Sequence, residues 1–253
     1  LPFFSRPLTF LRFPVTKPGN ALEGCRITDL DKLKGSNFHI YSALLVAESL
    51  QHLFNVLMKS GYKQPLTIGV ITPYIAQKKL IEKLLANIRR ATNVEVCVNT
   101  IHQFQGDEFD IVMLVLNPPN VSMTPKENIL INNRHLINVA ISRAKNCLVI
   151  VYPEAEACEV RNFMYVNKNS DLPNIESIAE KVFGCKVSAM TIRADEVEQA
   201  MYGEVDHLAK ISDVTIHEEV NYHESDHAFT YRFVKGGYTI DILHSANESK
   251  PSL

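Results

Sequence analysis

The sequence predicts an α/β fold: a parallel sheet with helices on both faces, followed by a small C-terminal α+β unit. Three observations carry this. The first part of the chain alternates short apolar runs with stretches of helical periodicity. The runs at 66–71 (LTIGVI), 111–116 (IVMLVL) and 148–152 (LVIVY) are apolar without alternation, as strands buried on both faces must be. Charge then divides the chain: residues 1–60, 61–151 and 152–253 carry net +3, +4 and −9, so an acidic segment follows a weakly basic one.

The elements follow in order. Residues 7–15 (PLTFLRFPV) read as a strand that ends at prolines, and a glycine-containing loop follows. Residues 41–58 place Leu44, Leu45, Ala47, Leu50, Leu53, Phe54 and Val56 at helical spacing, and Ser60-Gly61 stops the helix. Strand 66–71 precedes an amphipathic helix at 76–88. That helix sets Leu80, Ile81, Leu84 and Leu85 opposite Lys78, Lys79, Glu82 and Lys83. Strands at 94–98 and 111–116, a helix at 136–144 and a strand at 148–152 complete the first unit. Beyond it, 175–183 and 194–208 read as helices, and 213–222 and 228–243 as strands with a turn or bulge at Gly236-Gly237. The expected domains are 1–155 and a small acidic α+β appendage at 156–253.

Composition narrows the class. The chain has 253 residues, 46% hydrophobic and 21% charged, which suits a folded protein with a core of its own. No apolar run is read as reaching the roughly 20 residues of a membrane span, so no membrane partner is expected. Five scattered cysteines, none in a C-x-x-C pair, fit reduced core thiols in a cytoplasmic protein, or one of the nucleoid or nucleus.

Three segments carry the chemistry: 68–77 (IGVITPYIAQ), 98–110 (VNTIHQFQGDEFD) and 136–145 (LINVAISRAK). Each lies at a junction of a strand or helix with a loop. In an open parallel sheet, ligands sit at the carboxyl ends of strands, so the loops after Ile71, after Val98 and before Leu148 draw notice. Taken alone, each residue has an ordinary reading. Arg143 would solvate a helix end, Gly106 would make a turn, and Thr72, Thr100 and His102 would cap strands.

Taken in order, the segments resemble the second RecA-like motor domain of superfamily 1 DNA and RNA helicases, in the branch of the nonsense-mediated-decay and DNA-replication helicases. The matching patterns are GVITPY-x-x-Q, T-x-x-x-FQG-x-E-x-D and NVA-x-[ST]-RA-[KR]. They cover residues 60–152 and, more loosely, 7–60. The resemblance implies a RecA-like fold of the P-loop NTPase type. It implies that Arg143 is an arginine finger, since a guanidinium grips phosphate oxygens with a fork of donors. Gln105, Gly106 and Glu108 would face the nucleotide. Thr72, Pro73, Tyr74, Thr100 and His102 would contact single-stranded DNA or RNA through its backbone. Asp107 is given no role, Lys145 is a neighbouring helix-end charge, and Asp110 caps or braces the loop. Arg134 and Asn138 would contact phosphate or hold the loop.

The segment G-x-x-x-x-G-K-[ST] does not occur. The resemblance therefore assigns ATP and Mg²⁺ mainly to a first RecA-like domain absent from this chain, and this chain by itself is expected to be inactive. The competing reading is a non-catalytic helicase-like module that binds nucleic acid or protein. Two further patterns are weighed and set aside. His223–His227 spells H-E-x-x-H between two β-like runs rather than on a helix, so no metal is assigned. Residues 236–242 (GGYTIDI) resemble a strand of restriction-endonuclease-like domains, with Asp241 and Glu196 or Glu198 as metal-site carboxylates. No E-x-K strand follows, which leaves a degenerate form.

Overall fold

The computed structural model describes residues 1–14, 24–26, 37–86, 88–104, 106–116, 134–154, 177, 179, 181, 189–202, 215–223, 228–235 and 238–245. Strand β1 is Leu8–Phe13. Strands β2 (Gly24–Arg26) and β3 (Asn37–His39) form a two-stranded antiparallel ribbon. Helix α1 (Ile40–Ser60) leads to β4 (Leu66–Thr72), α2 (Ile75–Leu85) and β5 (Val94–Thr100). Strand β6 (Phe109–Val115), α3 (Arg134–Ile141) and β7 (Ala144–Pro153) follow. Then come β8 (Met190–Arg193), α4 (Ala194–Tyr202) and an antiparallel sheet of β9 (Thr215–His223), β10 (Ala228–Lys235) and β11 (Tyr238–Ser245).

The main sheet has the order β5-β4-β6-β7-β1-β8, and every pairing in it is parallel. This is the α/β, RecA-like sheet expected. Its central strands β4, β6 and β7 are largely apolar because cores cover both faces. Ile68, Val70, Ile111, Met113, Val115, Val149 and Val151 face one core, which α1 and α2 cover. Val112, Leu114, Leu148 and Ile150 face the other, which α3 covers with Ile137, Ala140 and Ile141.

Three of the expectations bear on this fold. The sheet takes its edge strand β8 from beyond residue 155, and α4 packs on β1 and α1, so the expected 155/156 boundary does not coincide with the edge of the sheet. Helix α1 is long and apolar enough, by length and composition, to cross a membrane. In the fold, though, most of it is buried against the sheet, with Ile40, Leu44, Leu45, Val46 and Leu50 in the core. Of the H-E-x-x-H residues, His223 ends β9, and residues 224–227 lie outside those described.

Two buried contacts organise the packing. Gly69 lies under the Phe109 ring: a Cβ there would stand 2.6 Å from the ring's Cδ2 and 2.9 Å from its Cγ. Phe104, fully buried, holds that ring edge-on at 5.0 Å between centroids. On the other face the Tyr41 hydroxyl donates to Glu198 Oε1 at 2.6 Å, both residues being buried. Burial and the nearby Glu198 carboxylate push the Glu48 carboxyl up to about 8.

Replacing Gly69 by Ala should cost about 1–3 kcal/mol in denaturant unfolding, because a ring wedged by Phe104 cannot yield freely. A neutral result would show that the ring moves aside. Glu48 keeps its proton in the folded chain to higher pH than in the unfolded one, so its contribution is complete at acid pH and is lost as pH rises towards 8. Glu48→Gln should flatten that decline between about pH 5 and 8 in melts across pH; an unaltered slope would assign it to other groups.

Candidate functional site

The expected site residues fall at opposite ends of the sheet. Thr72 and Thr100 are register partners at the carboxyl ends of β4 and β5, and the Ile101 N–H donates to the Thr72 carbonyl at 3.1 Å. Strand order reverses beside β4, since β5 lies on one side and β6 on the other. Such a switch point leaves a crevice at the strand ends. Arg143 instead precedes β7, at its amino end, where the Phe109 N–H donates to the Arg143 carbonyl at 2.9 Å. The loop before Leu148 therefore does not share the carboxyl end with the other two. A parallel strand climbs only in one direction, and a helix that feeds β7 must deliver the chain to its start. Seven residues of β4 separate the ends by about 20 Å.

At the carboxyl end the threonines are buried, and so is Pro73. The Thr100 hydroxyl donates to Gln103 Oε1 at 3.2 Å. His102, Gln103 and Ile75 are the exposed side chains around them. Tyr74 caps α2 and is half-buried. Its hydroxyl has no partner among the described residues, and burial pushes the phenol up to about 12. Gln77, which sequence reasoning quoted without a role, is fully buried. Its Oε1 accepts from the His39 N–H at 2.7 Å, and its Nε2 donates to the His39 carbonyl at 3.3 Å and to Ser42 Oγ at 3.1 Å. It thus ties α2 to the start of α1. Its place in GVITPY-x-x-Q was the available signal.

At the amino end the Arg143 guanidinium folds back onto backbone. Its Nε donates to the Val139 carbonyl at 3.1 Å, one terminal nitrogen to the Asp107 carbonyl at 3.3 Å, and the other to Ser142 Oγ at 3.1 Å. Two of these acceptors are carbonyls, one at a helix end and one in a turn, where a cation is favourably placed, and the third is a hydroxyl. Gly106 has φ +105°, a conformation that side chains rarely adopt, with open space where a Cβ would point. Glu108 is exposed beside it, and Gln105 lies outside the described residues. On α3, Asn138 Oδ1 is buried without a partner among the described residues; the Arg134 side chain lies outside them.

Residues 101–108 run between the two ends. They cross the α3 face of the sheet with Ile101 and Phe104 buried in that core. Of the carboxylates weighed for a metal, Glu198 accepts from Tyr41 and Glu196 pairs with Arg193 at 3.3 Å. No group of three or more His, Cys, Asp or Glu converges among the described residues.

A protein-family profile described as an AAA domain matches residues 21–154, more than half of the chain. The chain belongs to this AAA domain family. Similar proteins include the DNA replication ATP-dependent helicase/nuclease DNA2 of Bos taurus, 36% identical over 110 residues, which cover 44% of this chain and 10% of the relative. The DNA polymerase alpha-associated DNA helicase A of Saccharomyces cerevisiae is 32% identical over 119 residues, or 46% of this chain and 16% of the relative. A helicase required for RNAi-mediated heterochromatin assembly in Schizosaccharomyces pombe is 29% identical over 153 residues, or 60% and 14%. The chain thus spans between about a tenth and a sixth of the length of these relatives. Family and relatives bear out the resemblance to the second RecA-like domain of superfamily 1 helicases.

Tyr74→Phe should leave the AAA domain's unfolding free energy unchanged or raise it by up to about 1 kcal/mol, since it removes a buried hydroxyl without a partner among the described residues. Destabilisation on chemical denaturation would reveal a partner for that hydroxyl outside the described residues.

Proposed function

We propose that this chain is the second motor domain of an ATP-dependent superfamily 1 helicase, with Arg143 as its arginine finger and the carboxyl-end loops as its single-strand contacts. The observation that carries it is the division of the site between the two ends of one sheet, joined by residues 101–108. A motor needs a fuel-sensing group and a track-holding group on one rigid body. The segment from Thr100 to Asp107 begins among the strand-end threonines and ends on the Arg143 guanidinium.

The residues present suit a polyphosphate edge. Two of the guanidinium bonds, to Asp107 and Ser142, lie at the surface, and phosphate oxygens can replace their acceptors. Gly106 leaves room beside them, and Glu108 is exposed next to it; the family pattern gives Gln105 the same nucleotide-facing role. ATP, with Mg²⁺ held mainly by the first RecA-like domain, supplies the phosphoryl chemistry when bound. Arg143 steadies the charge that develops there.

Single-stranded DNA or RNA would lie across the loops of Thr72, Pro73, Tyr74, Thr100 and His102. Because both threonines are buried, His102 and the backbone make the outward contacts, and the threonines hold the loops in shape. The partners are then the first motor domain and a single strand, in the nucleus or cytoplasm. Residues 156–253 form an acidic appendage to this motor, apart from the strand and helix that complete its sheet.

The test is turnover of ATP by the full-length protein, with and without single-stranded DNA or RNA. Arg143→Ala should lower kcat by roughly 10³–10⁵ while nucleic-acid affinity is kept. Unaltered turnover in that variant would remove the assignment and favour the non-catalytic module.

A further inference from the structure

We infer that Asp110 is a positioning residue for Arg143, acting through a bulge at the start of β7; the inference rests on the reading of Arg143 as the arginine finger. In the ladder between β6 and β7, Phe109 faces Ala144 but Ile111 faces Cys147. Two steps on β6 oppose three on β7, so β7 carries one residue too many, within Lys145-Asn146. A bulge bends its strand and re-aims the neighbouring side chains. This one begins two residues after Arg143.

The Asp110 carboxylate spans the bulge. Its Oδ1 accepts from Asn146 Nδ2 at 3.3 Å. Its Oδ2 accepts from the Thr67 N–H at 2.9 Å and from the Thr67 hydroxyl at 2.8 Å. The Asp110 N–H donates in turn to Thr67 Oγ1 at 3.0 Å. One side chain therefore fixes β4 on one side of β6 and the bulged β7 on the other. The preceding residue completes the hold, through the Phe109 N–H on the Arg143 carbonyl at 2.9 Å. The Thr67 N–H, then its hydroxyl and the nearby Lys145, hold the carboxyl below its ordinary range against the opposing effect of burial. Asp110 is thus charged at neutral pH and serves both neighbours as an acceptor. The guanidinium's own bonds go to Val139, Asp107 and Ser142, so Asp110 acts on where the arginine is rooted.

An amide at position 110 has one oxygen to accept with, so it serves Thr67 or Asn146 but not both, and it keeps the Thr67 bonds only if Asn146 turns its own amide over. The experiment measures ATP turnover by the full-length protein with single-stranded nucleic acid, alongside thermal midpoints, for D110N, R143A, the two combined, and the exchange D110N/N146D. D110N should lower kcat by about 10²-fold, the scale of a 1 Å misplacement. KM for ATP should stay within about threefold, as for a group used in the transition state. In the R143A background D110N should change kcat no further, and D110N/N146D should recover most of the loss by restoring one donor and one acceptor. An equal fall in both backgrounds would make Asp110 a strand staple and overturn the inference. So would unchanged kcat in D110N beside a large loss in R143A. Unchanged turnover in R143A overturns the arginine-finger reading, and this inference with it. Should D110N fail to fold, Thr67→Val removes the hydroxyl bonds alone and is read in the same way, by whether its kcat loss vanishes in the R143A background.

Discussion

The Phe109 ring resting on the bare Cα of Gly69 is the contact on which the Arg143 end of this sheet depends. β4 and β6 are neighbours, and the ring sits where any side chain at position 69 would have to stand. Phe104 closes over it from the segment that descends from Thr100. The start of β6 is thereby set against β4, and with it the turn at Gly106 and the carbonyl of Asp107 that receives Arg143. A glycine in the middle of a strand ordinarily weakens it. Here it admits an aromatic ring that locks two motifs, far apart in sequence, into one layer.

The two ends of the sheet differ in kind. The carboxyl end is dry and crowded: Thr72, Thr100 and Gln77 are buried, and Gln77 uses both ends of its amide to clasp the turn that starts α1. Such a network fixes loop shape more than it contacts anything outside. The amino end is wetter. Its guanidinium is partly exposed and bonded to acceptors that another ligand can replace. One body thus carries a rigid end and an adaptable end.

The far edge of the sheet has its own logic. β8 pairs with β1 although some 180 residues separate them, and α4 follows to place Glu198 against Tyr41. The bond is short and buried, and the acidic surroundings of Glu48 make that interface sensitive to protons. Acidic composition beyond residue 152 therefore does not mark a wholly separate unit; part of it completes the first.

Much of this was legible in the sequence, and the reasons are local. Unbroken apolar runs announce strands covered on both faces, helical spacing announced α1 and α2, and three ordered motifs named the family. The candidate site residues came from the resemblance: taken alone, Gly106 read as a turn and Arg143 as a helix-end charge. Their arrangement was not legible. That Arg143 lies at the opposite end from Thr72, that Gln77 is a brace, that β7 bulges over Asp110 and that β8 joins the sheet all depend on pairings between distant strands. Periodicity reports how one segment meets its immediate surroundings, whereas register and strand order are set by which segments bury one another, and only the folded chain decides that.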